Sequence, residues 1–209
     1  MLFVRRCPGC GEPARLICHN CEAKLRFLAV DQGASHELSR HRARVLGLDG
    51  FQAVFSYDPL VSRIILAAKN GGRRDVLVQL AGWLLVGPQT PSVAGSGFEL
   101  DVVTWVPASR QQLRRRGYDQ GYVLARAVGH RIGVRPCRLL GRSSREAQAG
   151  RSRADRLGGP HLRVRRPCPA RVLLIDDVAT TGASLARASE VLRSGGAQSV
   201  HAGVIAVVE

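Results

Sequence analysis

The sequence predicts an α/β chain, a mostly parallel sheet flanked by helices, with a small four-cysteine module in front of it. Three observations predict this. The run Val172-Leu173-Leu174-Ile175 shows no polar alternation and leads into Asp176 and Asp177. A strand covered by helices on both faces reads this way. From residue 51 onward, strand-like and helix-like segments alternate, which is the pattern of a parallel sheet with crossover helices. Cys7, Cys10, Cys18 and Cys21 form two Cys-x-x-Cys pairs near the N-terminus.

Residues 1–30 are read as the cysteine module. Pro8, Gly9, Gly11 and Pro13 give it turn chemistry, and the segment between the pairs is long enough for one tight hairpin. Two such knuckles supply four thiolates to one tetrahedral Zn²⁺ in the manner of a zinc ribbon, a closed site with a structural role. A redox Cys-x-x-Cys would sit between a strand and a helix and needs a single pair, so metal is favoured over redox or disulfide chemistry. His19 is not needed as a ligand. Cys137 and Cys168 are read as isolated thiols.

Residues 31–50 are polar and read as a linker or a solvated helix. Residues 51–57 read as a strand. Residues 59–68 read as a helix, with Val61, Ile64, Ile65 and Ala68 at helical spacing, stopped by Asn70-Gly71-Gly72. Leu77, Leu80, Ala81 and Leu84 mark a second helix over 75–85. Residues 87–98, rich in Gly and Pro, read as a loop. A strand over 101–106 ends at Pro107. Residues 120–132 form an amphipathic helix, capped by Asp119 and closed by Gly133. Leu139 and Leu140 suggest a short strand end. Residues 141–166 are arginine-dense and poor in apolar side chains, so they are expected to be mobile until a ligand orders them. The acid-bearing strand, a helix over 183–193 and a last strand over 199–208 complete the chain. No internal repeat is found.

The chemistry concentrates in residues 172–182. Asp176 and Asp177 point to opposite sides of a strand, so they are not a proton-sharing dyad. Carboxylates only accept hydrogen bonds and therefore suit vicinal hydroxyls. Ala179, Thr180, Thr181 and Gly182, with Ser184 nearby, offer backbone N–H groups, hydroxyls and a helix N-terminus to an anion. Gly182 is expected to let a ligand approach the backbone closely. Two carboxylates for a ribose and one loop for a 5′-phosphate describe a ribose-5-phosphate site. A Walker B strand is excluded because no Gly-Lys-Ser/Thr loop is present. A receiver domain would carry its acid pair after its first strand. An ordinary buried strand with solvated acids explains fewer of the matched positions.

A second anion site is read just after the strand over 101–106. Ser109, Arg110, Arg114, Arg115, Arg116 and Gly117 form an arginine-rich loop there. Guanidinium groups match a diphosphate in shape and in persistent charge. The strand exit puts this loop at the same sheet edge as the acid pair.

These residues carry a resemblance. Residues 172–182 resemble the phosphoribosyl-pyrophosphate (PRPP) signature of type I phosphoribosyltransferases. Val106-Pro107 followed by Arg114-Arg115-Arg116-Gly117-Tyr118-Asp119-Gln120 resembles the ComF/GntX family, where Phe-Asn is common in place of Tyr118-Asp119. The four cysteines match that family's N-terminal zinc module. Gln148, Gly150, Ser152, Arg153 and Arg156 resemble its glutamine- and arginine-containing loop, although Arg145 and Arg151 replace an expected Thr and Leu. The resemblance implies a type I phosphoribosyltransferase-like fold over 51–209. It implies that Asp176 and Asp177, the residues assigned to catalysis, hold the ribose 2′- and 3′-hydroxyls. Residues 179–182 would then hold the 5′-phosphate, with Mg²⁺ on the diphosphate. It further implies DNA uptake or competence, with single-stranded DNA and a helicase as partners. A non-enzymatic PRPP sensor or DNA-binding adaptor on the same fold is the alternative.

Composition bounds these readings. The chain has 209 residues and a formal net charge of +15, with 31 basic residues against 16 acidic and 45% hydrophobic residues. Lys24 and Lys69 are the only lysines, so nearly all positive charge is arginine. Such a chain favours polyanions or phosphorylated ligands. Aromatic residues are 5% and do not interleave with the arginines, so no base-stacking platform is legible. No membrane span or signal peptide is recognised, and a cytoplasmic location is expected.

Overall fold

The computed structural model describes residues 5–29, 35–85, 100–142 and 160–208. Its centre is a four-stranded, all-parallel sheet in the order β1-β6-β5-β2, built from β1 (Gly50–Ser56), β2 (Val102–Trp105), β5 (Arg171–Ala179) and β6 (Ser199–Val207). The apolar run of β5 alternates between two cores. Leu173 and Ile175 pack into one with α3 (Pro59–Asn70), α4 (Arg74–Ala81) and α6 (Gln120–Ile132). Val172 and Leu174 pack into the other with α2 (Ser35–Val45) and α7 (Ala183–Ser194). Burial on both faces is why β5 and β6 lack polar alternation.

The register positions the acids. β2 pairs with β5 from Val102–Val172 to Trp105–Ile175, and the Val106 amide donates to the Ile175 carbonyl at 3.1 Å. Pro107, which has no N–H, follows. β5 continues to Ala179 against β6 alone. Asp176 and Asp177 therefore lie inside the strand, one step beyond the point where β2 leaves it. The chain leaving β2 covers one face with α6, and the chain leaving β5 covers the other with α7. A crevice at such a divergence of neighbouring connections is where open α/β sheets take ligands.

Several expectations are corrected. The segment after Pro107 is not a loop but a helix, α5 (Arg110–Arg116). Ser109 accepts from the Gln112 amide while the Gln112 side chain accepts from Ser109 N–H, a complete capping box that starts it. Gly117, at φ 72°, ends it in the left-handed conformation that glycine adopts without strain. Asp119 makes no cap bond to α6 and instead accepts from the Trp105 indole at 3.1 Å. The helix over 75–85 ends at Ala81, and a 3₁₀ turn (Trp83–Leu85) follows. Within the arginine-dense segment, β4 (Leu162–Val164) pairs antiparallel with β3 (Leu140–Arg142), because Leu162 and Leu140 are buried together in the second core. The part of residues 31–50 that is helical is not fully solvated: Ala43 of α2 and the adjoining Leu46 and Leu48 are buried. The loop over 87–98 lies outside the described residues. So does the glutamine- and arginine-containing stretch, Gln148, Gly150, Ser152, Arg153 and Arg156, with Arg145 and Arg151.

The cysteine module is a hairpin leading into α1 (His19–Leu28). Its Cys7, Ile17, Cys21 and Leu25 are buried in the same core as α3 and α4. The module thus packs on the α/β domain rather than standing apart from it.

Candidate functional site

Two sites are assembled by the fold. The first is the four-cysteine cluster. The sulfurs of Cys7, Cys10, Cys18 and Cys21 all lie within 4.8 Å of one another, and Cys10 and Cys18 are 3.5 Å apart. A tetrahedron of thiolates at zinc–sulfur distances has edges of about 3.8 Å, so the spacing fits one ion. Burial opposes a charge on Cys7, but amide donors from Gly9 (3.4 Å) and Cys18 (3.3 Å) bring its thiol down to about 6. Burial and the neighbouring thiols push Cys21 up. Four crowded sulfurs of this kind, held by knuckle-type amide bonds, suit a divalent soft cation.

The second site is the carboxyl end of β5. Asp177 is buried and is engaged by the protein. Lys69, at the end of α3, places Nζ 2.8 Å from Asp177 Oδ2, with side-chain exposures of 13% and 8%. The Gln120 side-chain amide donates to the same oxygen, and Arg116 donates to the Gln120 carbonyl oxygen. Asp177 Oδ1 accepts the Val178 amide at 2.7 Å. Asp176 lies on the opposite side of the strand, as expected. Its Oδ1 accepts the Asp177 amide at 2.9 Å. Burial, and then the Asp177 charge, push Asp176 up to about 8.

Beyond the acids, Ala179 is buried and its carbonyl accepts the Val208 amide. Thr180 and Thr181 are exposed, and Thr181 Oγ1 accepts the Ala183 amide at 3.3 Å. Ser184 is half-buried in the first turn of α7, where amides have no intrahelical acceptor. Gly182 sits at φ 77°, and a Cβ there would meet Leu46 Cδ2 at 2.5 Å. Its lack of a side chain leaves room for Leu46.

The arginines divide. Arg110, Arg114 and Arg115 are exposed on α5. Arg116 is half-buried and faces Gln120. Ser109 spends its hydroxyl on the helix cap. Arg116 Nε and Asp119 Oδ1 are buried polar atoms with no partner among the described residues, a situation that polar ligands or water relieve.

Lys69 was missed from sequence, and Tyr118 and Gln120 were read only as part of the arginine-glycine motif, without a role. Tyr118 donates its hydroxyl to the Ala68 carbonyl at 2.7 Å, fixing the end of α3 beside the acids. One signal for Lys69 existed: a chain that uses arginine almost everywhere keeps a lysine there.

No family model matches the chain. Over 98 residues it is 31% identical to competence protein ComFC of Streptococcus pneumoniae (strain ATCC BAA-255 / R6), a match covering 46% of this chain and 43% of that protein. Over that region the chain is similar to a ComF-type protein. The match spans less than half the length of that curated relative. Among solved structures it is similar to the allosteric regulatory enzyme of purine biosynthesis, at 24% identity over 61% of this chain and 25% of that one, TM-score 0.42. It is also similar to the glutamine PRPP amidotransferase from B. subtilis complexed with ADP and GMP (24%, 61% and 26%, TM-score 0.42) and to an adenine phosphoribosyltransferase (15%, 71% and 75%, TM-score 0.41). No described helix is long and apolar enough to cross a membrane.

Proposed function

We propose that the carboxyl end of β5 binds PRPP or a related ribose-5-phosphate with Mg²⁺, and that the chain is a phosphoribosyltransferase of the ComF type acting in DNA uptake or nucleotide metabolism in the cytoplasm. One observation carries this reading. β5 presents Asp176 beyond the last residue paired with β2, and the exposed hydroxyls of Thr180 and Thr181 follow it into the N-terminus of α7.

In this reading Asp176 accepts from the ribose hydroxyls. Asp177 acts beside it as a buried negative charge, already balanced by Lys69. Thr180, Thr181 and Ser184 hold the 5′-phosphate with the first amides of α7. Arg110, Arg114 and Arg115, on the helix leaving the neighbouring strand, meet the diphosphate. As diphosphate leaves C1 of the ribose, their charge stabilises the departing oxygens, which is worth most in a site that excludes water. Mg²⁺ bound to the diphosphate supplies Lewis-acid charge stabilisation. Calorimetric titration with PRPP and Mg²⁺ tests the reading. One-to-one binding that Asp176→Asn weakens about tenfold or more is expected, and an absence of binding to the wild-type chain refutes it.

A specific observation favours a second use of the same fold, the binding of single-stranded nucleic acid. A groove of about 960 Å³ beside α6 is lined by Tyr118, Tyr122, Arg74, Arg126, His130 and Arg135. Tyr122 is 41% exposed and rests on Trp105, with ring centroids 5.1 Å apart. The fold thus gathers the aromatic and cationic groups that the sequence keeps separate, as stacking platforms for single strands do. Fluorescence anisotropy with labelled oligo-dT would detect it. Tyr122→Ala should weaken binding several-fold, and equal affinity would remove the groove from the account.

A further inference from the structure

Beyond the binding reading above, on which it rests for the role of Asp177, we propose that Arg73 is a positioning residue. It couples the metal state of the four-cysteine module to the Lys69–Asp177 pair. Arg73 lies in the turn between α3 and α4 and its side chain is 20% exposed. Its guanidinium reaches two parts of the module at once. Nη1 donates to the Arg6 carbonyl at 3.1 Å, and Nη2 donates to the Arg15 carbonyl at 2.6 Å. Arg6 immediately precedes Cys7, and Arg15 lies between the two cysteine pairs. The fork is aimed by Asp75, which accepts from Nε at 3.0 Å and from Nη2 at 3.2 Å and also binds Arg5 at 2.8 Å.

The backbone of the same residue faces the other site. Arg73 N–H donates to the Ala68 carbonyl at 3.2 Å, closing the turn that ends α3, and the Tyr118 hydroxyl donates to that same carbonyl. Lys69 is the next residue, and its ammonium is 2.8 Å from Asp177. One residue therefore joins both sides of the metal hairpin to the C-terminal end of α3, which carries Lys69.

The distance between the Arg6 and Arg15 carbonyls is set by the fold of the hairpin. Four thiolates on one ion hold that hairpin closed. When it opens, a planar guanidinium cannot satisfy both carbonyls in its fixed geometry. The turn then loses its restraint and Lys69 its placement. Coupling of this kind is reciprocal, so loosening the acid site must also loosen the metal.

The test follows zinc release from the full-length, zinc-loaded chain into a chromogenic chelator. It compares wild type, Asp177→Asn, Arg73→Ala and the double variant. In the wild-type background Asp177→Asn should speed release about fivefold or more. In the Arg73→Ala background, which is itself faster than wild type, the same substitution should add little, because the two changes act along one connection. Arg73→Lys keeps the charge but not the fork and should behave as Arg73→Ala does. It also replaces that variant if Arg73→Ala does not fold. An equal factor in both backgrounds means general destabilisation and overturns the proposal, as does no effect of Asp177→Asn or a chain that holds no zinc. None of these readouts needs PRPP. Failure of PRPP to bind would refute the ligand reading and leave the measured coupling standing.

Discussion

Asp176 and Asp177 are adjacent, yet their surroundings give them different chemistry. Asp177 is locked by Lys69, Gln120 and its own strand. Lys69→Ala leaves a buried carboxylate uncompensated and should cost about 3–5 kcal/mol in chemical denaturation. Combining it with Asp177→Asn should recover part of that loss. Asp176 is pushed up to about 8 from an ordinary 3.8 by burial and by the Asp177 charge. Between about pH 4 and 8 the folded chain therefore holds a proton that the unfolded chain has released, and stability falls as pH rises across that window. Asp176→Asn should flatten this slope in urea midpoints measured at several pH values. By the same logic, binding of a ribose hydroxyl donor to the ionised carboxylate should tighten as pH rises through about 8, and a flat calorimetric profile would count against Asp176 as the ribose acceptor. Gly182→Ala faces a left-handed backbone and Leu46 at 2.5 Å. It should destabilise by about 1–3 kcal/mol, visible as a lower thermal midpoint.

At the scale of elements, α5 decides how the arginine segment presents its charge. A loop would leave all four guanidiniums equivalent. The helix puts Arg110 and Arg114 one turn apart in solvent and turns Arg116 toward Gln120. Ser109→Ala removes the capping box and should cost about 0.5–2 kcal/mol of stability. Arg110→Gln with Arg114→Gln should leave the thermal midpoint nearly unchanged while weakening pyrophosphate binding by an order of magnitude. The capping signal, Ser109 followed by Gln112 three residues on, was legible in the sequence. The density of like charge points instead to a loop, and the helix tolerates it because Arg110, Arg114 and Arg115 stand in water. The strand β4 was hidden for the converse reason. Its three residues include Arg163 and run into Arg165 and Arg166, and only the pairing of β4 with the β3 ribbon buries enough to hold it.

In the molecule as a whole, the cysteine module and the α/β domain share one core. Metal analysis should therefore return about one zinc per chain, and its removal should lower the thermal midpoint of the whole chain rather than melt the module alone. The parallel strands, the helices α3 and α6, the four sulfur donors and the acid-hydroxyl-glycine order of residues 176–182 were all legible in the sequence. Each is written in local terms, as an apolar run, a helical spacing, a paired Cys-x-x-Cys or a turn residue. The partnership of Lys69 with Asp177, the work of Gly182 against Leu46, the aromatic and cationic groove beside α6, and the reach of Arg73 into the metal hairpin were decided by tertiary structure alone. These depend on side chains as far apart in sequence as Lys69 and Asp177 meeting in a desolvated interior. Local sequence sets which groups a residue carries. Packing sets which group it meets, and in a low-dielectric interior that meeting fixes its charge and its role.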